Sequence, residues 1–248
     1  MKKERLDKIL SHCGYGSRKD VKSLVRKGFV EVNGQVCLNF EFGIDSENDV
    51  ILVDRKKLNL RRNIYLMLNK PQNVVTSTKD GLHQTVLDLI SDEYKVNFLG
   101  GNLHPVGRLD IDTEGLLFLT TDGSLTHFLI SPKSHVQKTY FARLRDSVSV
   151  QEQSRLTGIF AKGFEVVPEG NETSFVCEGS KLVWLDENSV ELTIHEGKYH
   201  QVKRMFRTFG NEVVFLKRIS VGNIALDKNL ALGEYRELRQ DEIDSLLA

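Results

Sequence analysis

Three carboxylates and an arginine stand together in Gly107-Arg108-Leu109-Asp110-Ile111-Asp112-Thr113-Glu114-Gly115, directly before the apolar run Leu116-Leu117-Phe118-Leu119. Such a run, closed by the turn signal Asp122-Gly123, reads as a strand buried on both faces, so the charged residues fall on the loop that enters it. Loops held by a rigid strand are where acid–base or nucleophilic chemistry is usually mounted. The local pattern does not single out Asp110, Asp112 or Glu114, and a structural turn fits the same residues.

A second block, Glu196-Gly197-Lys198-Tyr199-His200-Gln201-Val202-Lys203-Arg204-Met205, leads into a predicted helix from about His200 to Phe209. Val202, Met205, Phe206 and Phe209 follow the i, i+3, i+4, i+7 spacing, and Gly210 stops the helix. Lys203, Arg204 and Arg207 therefore cannot all share its buried face. His195, Glu196 and His200 look superficially like a metalloprotease motif. That motif needs histidines at i and i+4 on a helix, whereas these are five apart across a glycine, so a metal site is rejected. No phosphate-binding glycine loop and no nucleophile elbow occurs. Lys138 to Leu144 alternates as a strand, with Thr139, Phe141 and Arg143 on one face and Tyr140, Ala142 and Leu144 on the other. After a strand from Ile64 to Leu68, Asn69-Lys70-Pro71-Gln72-Asn73 predicts a turn that exposes Lys70, because proline cannot continue the ladder.

These residues need a scaffold, and 248 residues with 40% hydrophobic content suffice for a large domain, alone or with a small companion. No apolar run approaches the roughly 20 residues that span a bilayer, which gives the expectation of a cytoplasmic protein with no membrane segment. Cys13, Cys37 and Cys177 are odd in number and widely spaced, as reduced thiols are. The net charge is zero but unevenly spread. Residues 1–30 carry nine Lys or Arg against three acids, residues 198–218 six against one, and residues 146–196 three against ten. Two basic faces on a neutral chain point to localised binding of a polyanion.

In chain order, Leu6, Ile9, Leu10 and Cys13 mark a short amphipathic helix whose polar side carries Arg5 and Lys8. Ser17 and Asp20 begin a second helix, with Val21, Leu24 and Val25 inside and Arg18, Lys19, Lys22 and Arg26 outside. Asn33-Gly34 is a hairpin turn signal between two short strands, and Ile51-Leu52-Val53 is a further strand. Arg55 to Asn63 is basic and aperiodic and reads as the interdomain linker, with domains over 1–58 and 59–248. Val74 to Thr78 reads as extended, Thr85 as the cap of a short helix with Val86, Leu89 and Ile90, and Ser124 as the cap of a helix through Leu125, Phe128 and Leu129. Residues 147–189 hold a helix around Val150 to Phe160 and short strands, with no recognisable chemistry.

The N-terminal order Arg5-Leu6-Asp7-Lys8-Ile9-Leu10, Ser17-Arg18-Lys19 and Lys27-Gly28-Phe29-Val30-Glu31-Val32-Asn33-Gly34 resembles the alpha-L RNA-binding domain. That resemblance implies docking on structured RNA through Arg5, Lys8, Arg18, Lys19, Lys22, Arg26 and Lys27. The ordered blocks Asn69-Lys70-Pro71, Gly107-Arg108-Leu109-Asp110, Lys138-Thr139-Tyr140 and Glu196 to Met205 resemble the RsuA family of ribosomal RNA pseudouridine synthases, across essentially the whole chain. The Pro71-Gln72 block, Lys162-Gly163 and Gly233-Glu234-Tyr235-Arg236 look most like the branch acting on 16S ribosomal RNA.

The resemblance implies an α+β fold: a small alpha-L RNA-binding domain, then a catalytic domain with a mixed, largely antiparallel sheet flanked by helices, and Asp110 in a cleft between its halves. It implies that Asp110 is the essential aspartate, that Tyr140 stacks on the target base, that Lys203 pairs with the aspartate and that Arg108 fills the gap left by a flipped uridine. Lys203 and Arg204 are interchangeable in this reading, and Arg108 instead pairing with Asp112 or Glu114 is an even alternative. Lys70, His200, Gln201 and Arg204 join the residues implied to contact RNA. No cofactor is implied, because the reaction neither moves electrons nor needs a group donor. The implied partner is ribosomal RNA, within a partly assembled small subunit, with the protein a monomer. A synthase acting on 23S RNA and a non-catalytic assembly factor are the competing readings. Where the family usually has glycine this chain has Asn73, which tolerates positive φ well enough to keep the turn.

Overall fold

The protein is seen in a computed structural model that describes residues 3–46, 48–58, 63–95 and 102–247. The chain divides into two compact units, one containing Met1–Tyr65, Ile90–His104 and Thr120–Gly123, the other Leu66–Leu89, Pro105–Leu119 and Ser124–Ala248.

In the first unit, helices α1 (Leu6–His12) and α2 (Arg18–Arg26) precede strands β1 (Val30–Val32), β2 (Gln35–Val36), β3 (Ile51–Val53) and β4 (Lys56–Lys57). The strands form one antiparallel sheet in the order β2-β1-β3-β4. The start of α2 is set by a capping box: Ser17 Oγ accepts from the Asp20 N–H at 3.4 Å, and the Asp20 carboxylate accepts from the Ser17 N–H at 2.9 Å. Asn33 and Gly34 both take positive φ, 52° and 79°, which two-residue hairpins require. Leu6, Ile9, Leu10, Val21, Val25, Val30, Ile51 and Val53 close a common core, each side chain worth roughly 1.5–3 kcal/mol on burial. The linker expectation is corrected at its start. Lys56 and Lys57 pair with Val53 and Leu52, and Leu58 belongs to the core, so these residues are sheet. Residues 59–62 of the expected linker lie outside the described residues.

The second unit is built on a mixed sheet. Its strands are β5 (Tyr65–Lys70), β6 (Glu114–Thr120), β7 (Lys138–Leu144), β8 (Lys181–Trp184), β9 (Ser189–Ile194), β10 (Val213–Val221) and β11 (Tyr235–Glu237), in the order β8-β9-β7-β10-β6-β5-β11. Helices α3 (Gly123–Ile130), α4 (Val150–Lys162), α5 (Gln201–Arg207) and α6 (Gln240–Leu247) accompany it. The β7 alternation holds: Tyr140, Ala142 and Leu144 are buried, whereas Phe141 is half-buried and Arg143 exposed. Phe160 of α4 packs on Phe206 of α5 with ring centroids 5.2 Å apart. The strands β8, β9, β7 and β10 are antiparallel to their neighbours, but β10 runs parallel to β6. Among the described residues, no helix is long and apolar enough to cross a membrane.

Three local expectations are corrected. β5 runs through Lys70 instead of ending at Leu68, so Lys70 is fully buried and not exposed by a turn. Thr85 and Asp88 cap each other, with Thr85 N–H donating to the Asp88 carboxylate at 2.7 Å, but they close a turn rather than start a helix. Before it, Val75 makes only a single bridge to Thr85. Helix α3 begins at Gly123, placing Ser124 inside its first turn, with Leu125 and Leu129 buried and Phe128 exposed. Asn73 has φ 63° and its N–H donates to the Ile111 carbonyl at 2.8 Å, so asparagine carries the turn as expected.

Candidate active site

The charged loop reaches its position through the sheet. Tyr140 of β7 lies opposite Arg218 of β10, and Arg218 lies opposite Gly115 of β6. One row across three strands thus links the tyrosine to the start of the strand that Asp110 precedes. Gly115 has φ +103°, and a Cβ there would sit 2.2 Å from the Arg218 carbonyl oxygen, so only glycine permits this strand contact. Arg218 is buried and donates through Nε to the Leu116 carbonyl at 2.8 Å, tying β10 to β6 a second time.

Lys70 fixes the loop from below. Its Nζ donates to the carbonyls of Asp110 at 3.0 Å, Thr113 at 2.9 Å and Pro71 at 3.0 Å. The sequence reading of Lys70 as an RNA contact is therefore corrected: a fully buried ammonium clamped on three carbonyls has nothing left for a phosphate. Burial pushes its pKa down to about 8, against the pull of Asp110, Asp112 and Glu114. A lysine whose folded pKa is depressed binds its proton less readily than the unfolded chain does. Its linkage contribution to stability therefore rises with pH between about 8 and the unfolded value near 10.4. Lys70→Met should unfold at lower urea concentration, by about 1–3 kcal/mol for the orphaned carbonyls, and wild type should gain on the variant between pH 8 and 10.

Above the loop, Lys203 of α5 pairs with Asp110 (Nζ to Oδ2, 3.2 Å) and, more closely, with Asp112 (Nζ to Oδ1, 2.6 Å). Burial would lower the Lys203 pKa, but the hydrogen bond to Asp112 and the charges of Asp110 and Asp112 outweigh it and raise it. Burial likewise works against ionised Asp112, yet Lys203 holds its pKa below the ordinary carboxylate range. Asp112, which the local sequence pattern did not single out, is thus a partner of the same lysine.

The sequence left Lys203 and Arg204 interchangeable; the structure separates them. Arg204 is buried and donates to the carbonyls of Val167 at 2.8 Å and Thr173 at 2.6 Å, which rules it out as a direct RNA contact. Gln201 is corrected likewise. It is buried, with Nε2 donating to Glu196 at 2.7 Å and Oε1 accepting from the Lys198 N–H at 2.9 Å.

A pocket beside Asp110 is lined by Arg108, Thr113, Tyr140, His200 and Val202. Arg108 is exposed and, among the described residues, pairs with neither Asp112 nor Glu114. His200 caps the start of α5 in a left-handed conformation, φ 49°. Its Nδ1 is 3.0 Å from Glu169 Oε2, its Nε2 is 3.8 Å from Asp110 Oδ1, and Tyr199 stacks on its ring at 3.8 Å between centroids. Glu169 comes from the segment in which the sequence reading found no chemistry. A lone glutamate in an acidic stretch carries no local signal of a partner 31 residues away.

The N-terminal basic residues belong to the other unit. Arg18, Lys19, Arg26 and Lys27 are exposed, and Arg26 with Lys22 lies over the Phe40 ring, 5.2 and 4.5 Å from its centroid. Arg5 is engaged with Asp7 at 2.9 Å and Glu41 at 2.7 Å, and Lys8 stands 3.5 Å from Glu4.

The family relationships agree with this geometry. Residues 64–208 match the model of the RNA pseudouridylate synthase family, and residues 4–51 match the S4 domain. An RNA pseudouridine synthase of Bacillus subtilis (strain 168), YtzG, is 44% identical over 244 residues, 98% of each chain. The ribosomal small subunit pseudouridine synthase A of Haemophilus influenzae is 38% identical, covering 98% of this chain and 99% of that protein. The enzyme of that name from Escherichia coli (strain K12) is 39% identical, covering 98% and 100%. A crystal structure of a pseudouridylate synthase superposes with a TM-score of 0.63 at 37% identity, covering 98% of this chain and 99% of that one. With an S4 domain ahead of a mixed sheet that gathers Asp110, Lys203 and Tyr140, the chain belongs to the RNA pseudouridylate synthase family.

Proposed function

We propose that the protein isomerises one uridine of small-subunit (16S) ribosomal RNA to pseudouridine, with Asp110 as the essential group. The observation that carries the reading is the Asp110 carboxylate, held by Lys203 at 3.2 Å beside a pocket walled by Tyr140 and Arg108. In the reaction the N1–C1′ bond breaks and a C5–C1′ bond forms, while one proton leaves C5 and one arrives at N1. Atoms and electrons balance without a donor.

Asp110 stands where it can act on the ribose or the base of an extruded nucleotide. The Tyr140 ring offers a face for the uracil to stack on, and the exposed Arg108 guanidinium, without an ion-pair partner among the described residues, fits the space such a nucleotide vacates. Lys203 holds the carboxylate in register. Residues 1–58 form the RNA-docking domain, in which exposed Arg18, Lys19, Arg26 and Lys27 meet phosphates, and residues 59–248 form the catalytic domain. Relatives named for the small subunit support that RNA over the large-subunit RNA. The partly assembled subunit in the cytoplasm is the substrate proposed, with the protein acting as a monomer.

Purified protein should release tritium from partly assembled small subunits whose RNA is labelled at C5 of uracil, up to one equivalent per RNA, and none from large-subunit particles. A protein that binds the RNA and releases no tritium is an assembly factor, and the proposal fails. Lys203→Met should lower single-turnover release on the order of 10²-fold with little change in RNA affinity, since it removes the cation that orients Asp110.

A further inference from the structure

The isomerisation needs a base after the new bond has formed, and the proposed function leaves that group unassigned. Once C5 has joined C1′, the ring carries both C1′ and hydrogen on C5, with a C6=N1 double bond. The C5–H bond must then break. Its electron pair restores C5=C6, the C6=N1 pair moves to N1, and N1 takes a proton.

Resting on that reading, we infer that His200, oriented by Glu169, is the base that removes the C5 proton. Three observations carry it. His200 lines the same pocket as Asp110 and Tyr140. Its Nδ1 meets Glu169 Oε2 at 3.0 Å, and Arg207 pairs with the other oxygen of that carboxylate. A carboxylate so held only accepts, so Nδ1 carries the hydrogen, and Nε2 is the nitrogen left to supply a lone pair. That nitrogen is 3.8 Å from Asp110 Oδ1, beyond hydrogen-bond reach and free to take a proton from the base.

Asp110 is committed to the glycosidic rearrangement, so a separate group for the later proton separates the two tasks. The proton passes from C5 to Nε2, leaving an imidazolium whose Nδ1–H is held by the Glu169 anion, as in other base–orienter pairs. Solvent exchange at the imidazolium carries the C5 hydrogen away, and N1 is protonated in turn. The charged groups facing the ring are Glu169, Asp110 and Asp112, with Lys203 and Arg207 on the following helix. Direct RNA contact, the role the sequence suggested for His200, predicts weakened binding instead.

The test compares single-turnover conversion of RNA bearing hydrogen or deuterium at C5 of uracil. His200→Gln should slow conversion on the order of 10²-fold, with unchanged RNA affinity and a clear primary isotope effect, because proton removal then limits the rate. Glu169→Gln keeps the ring but loses its orienter. It should show a smaller loss with the same isotope sensitivity, and it decides the question should His200→Gln fail to fold. Conversion at the wild-type rate, slowing without an isotope effect, or a loss explained by weaker RNA binding overturns the role of His200. Wild-type protein that converts no uridine overturns the proposed function itself, a separate result.

Discussion

Asp110→Asn is expected to abolish product, a loss of about 1,000-fold or more, while RNA affinity stays unchanged. Asparagine keeps the shape of the side chain, and Lys203 retains Asp112 at 2.6 Å, so the loop keeps one of its two anchors to α5. The carbonyl of residue 110 also stays under the Lys70 ammonium, since that bond is made by the backbone. What disappears is the negative oxygen beside the pocket. In the proposed function binding rests mainly on cations elsewhere, so a filter-binding titration alongside tritium release separates the two. Measurable turnover by the variant would remove Asp110 from the chemistry. Asp112→Asn provides a graded control: it leaves Lys203 with Asp110 alone and should cost far less activity.

The largest structural effect is expected at Gly115. Gly115→Ala places a methyl 2.2 Å from the Arg218 carbonyl oxygen and 2.9 Å from its nitrogen, at φ +103°. Neither atom is the end of a flexible side chain, so β6 and β10 must part. Overpacking and positive φ together cost roughly 2–5 kcal/mol. The same displacement shifts the entrance of β6, and with it Asp110, so the remaining folded protein should also lose activity. Gly81, where an added Cβ meets nothing within 4 Å, is the matched control, and Gly81→Ala should leave the urea midpoint almost unchanged. Equal midpoints for the two variants would contradict the role assigned to the β6–β10 contact.

Much of this organisation is legible in the residues themselves. The apolar run after Asp110, the β7 alternation and the α5 periodicity are local patterns that burial then enforces, and each appears as a strand or helix. The Ser17–Asp20 capping box and the Asn33-Gly34 turn are local for the same reason. Harder to read are polar groups whose environment is made by distant chain. Lys70 precedes a proline and reads as exposed, but two of the three carbonyls it is clamped on, those of Asp110 and Thr113, come from a loop 40 and 43 residues on. Lys203 and Arg204 are adjacent in sequence, and only the position of Val167 and Thr173 decides which one is buried. Glu169 has no local mark at all, because its significance lies in His200.

Modification of 16S RNA through Asp110 is tested most directly by chemical mapping of pseudouridine in ribosomal RNA from cells that lack the gene, complemented with wild-type protein or Asp110→Asn. One 16S uridine should remain unmodified in the deletion strain, be modified again with wild-type protein, and stay unmodified with the variant. Unchanged 16S modification, loss of a 23S site instead, or restoration by Asp110→Asn would contradict it.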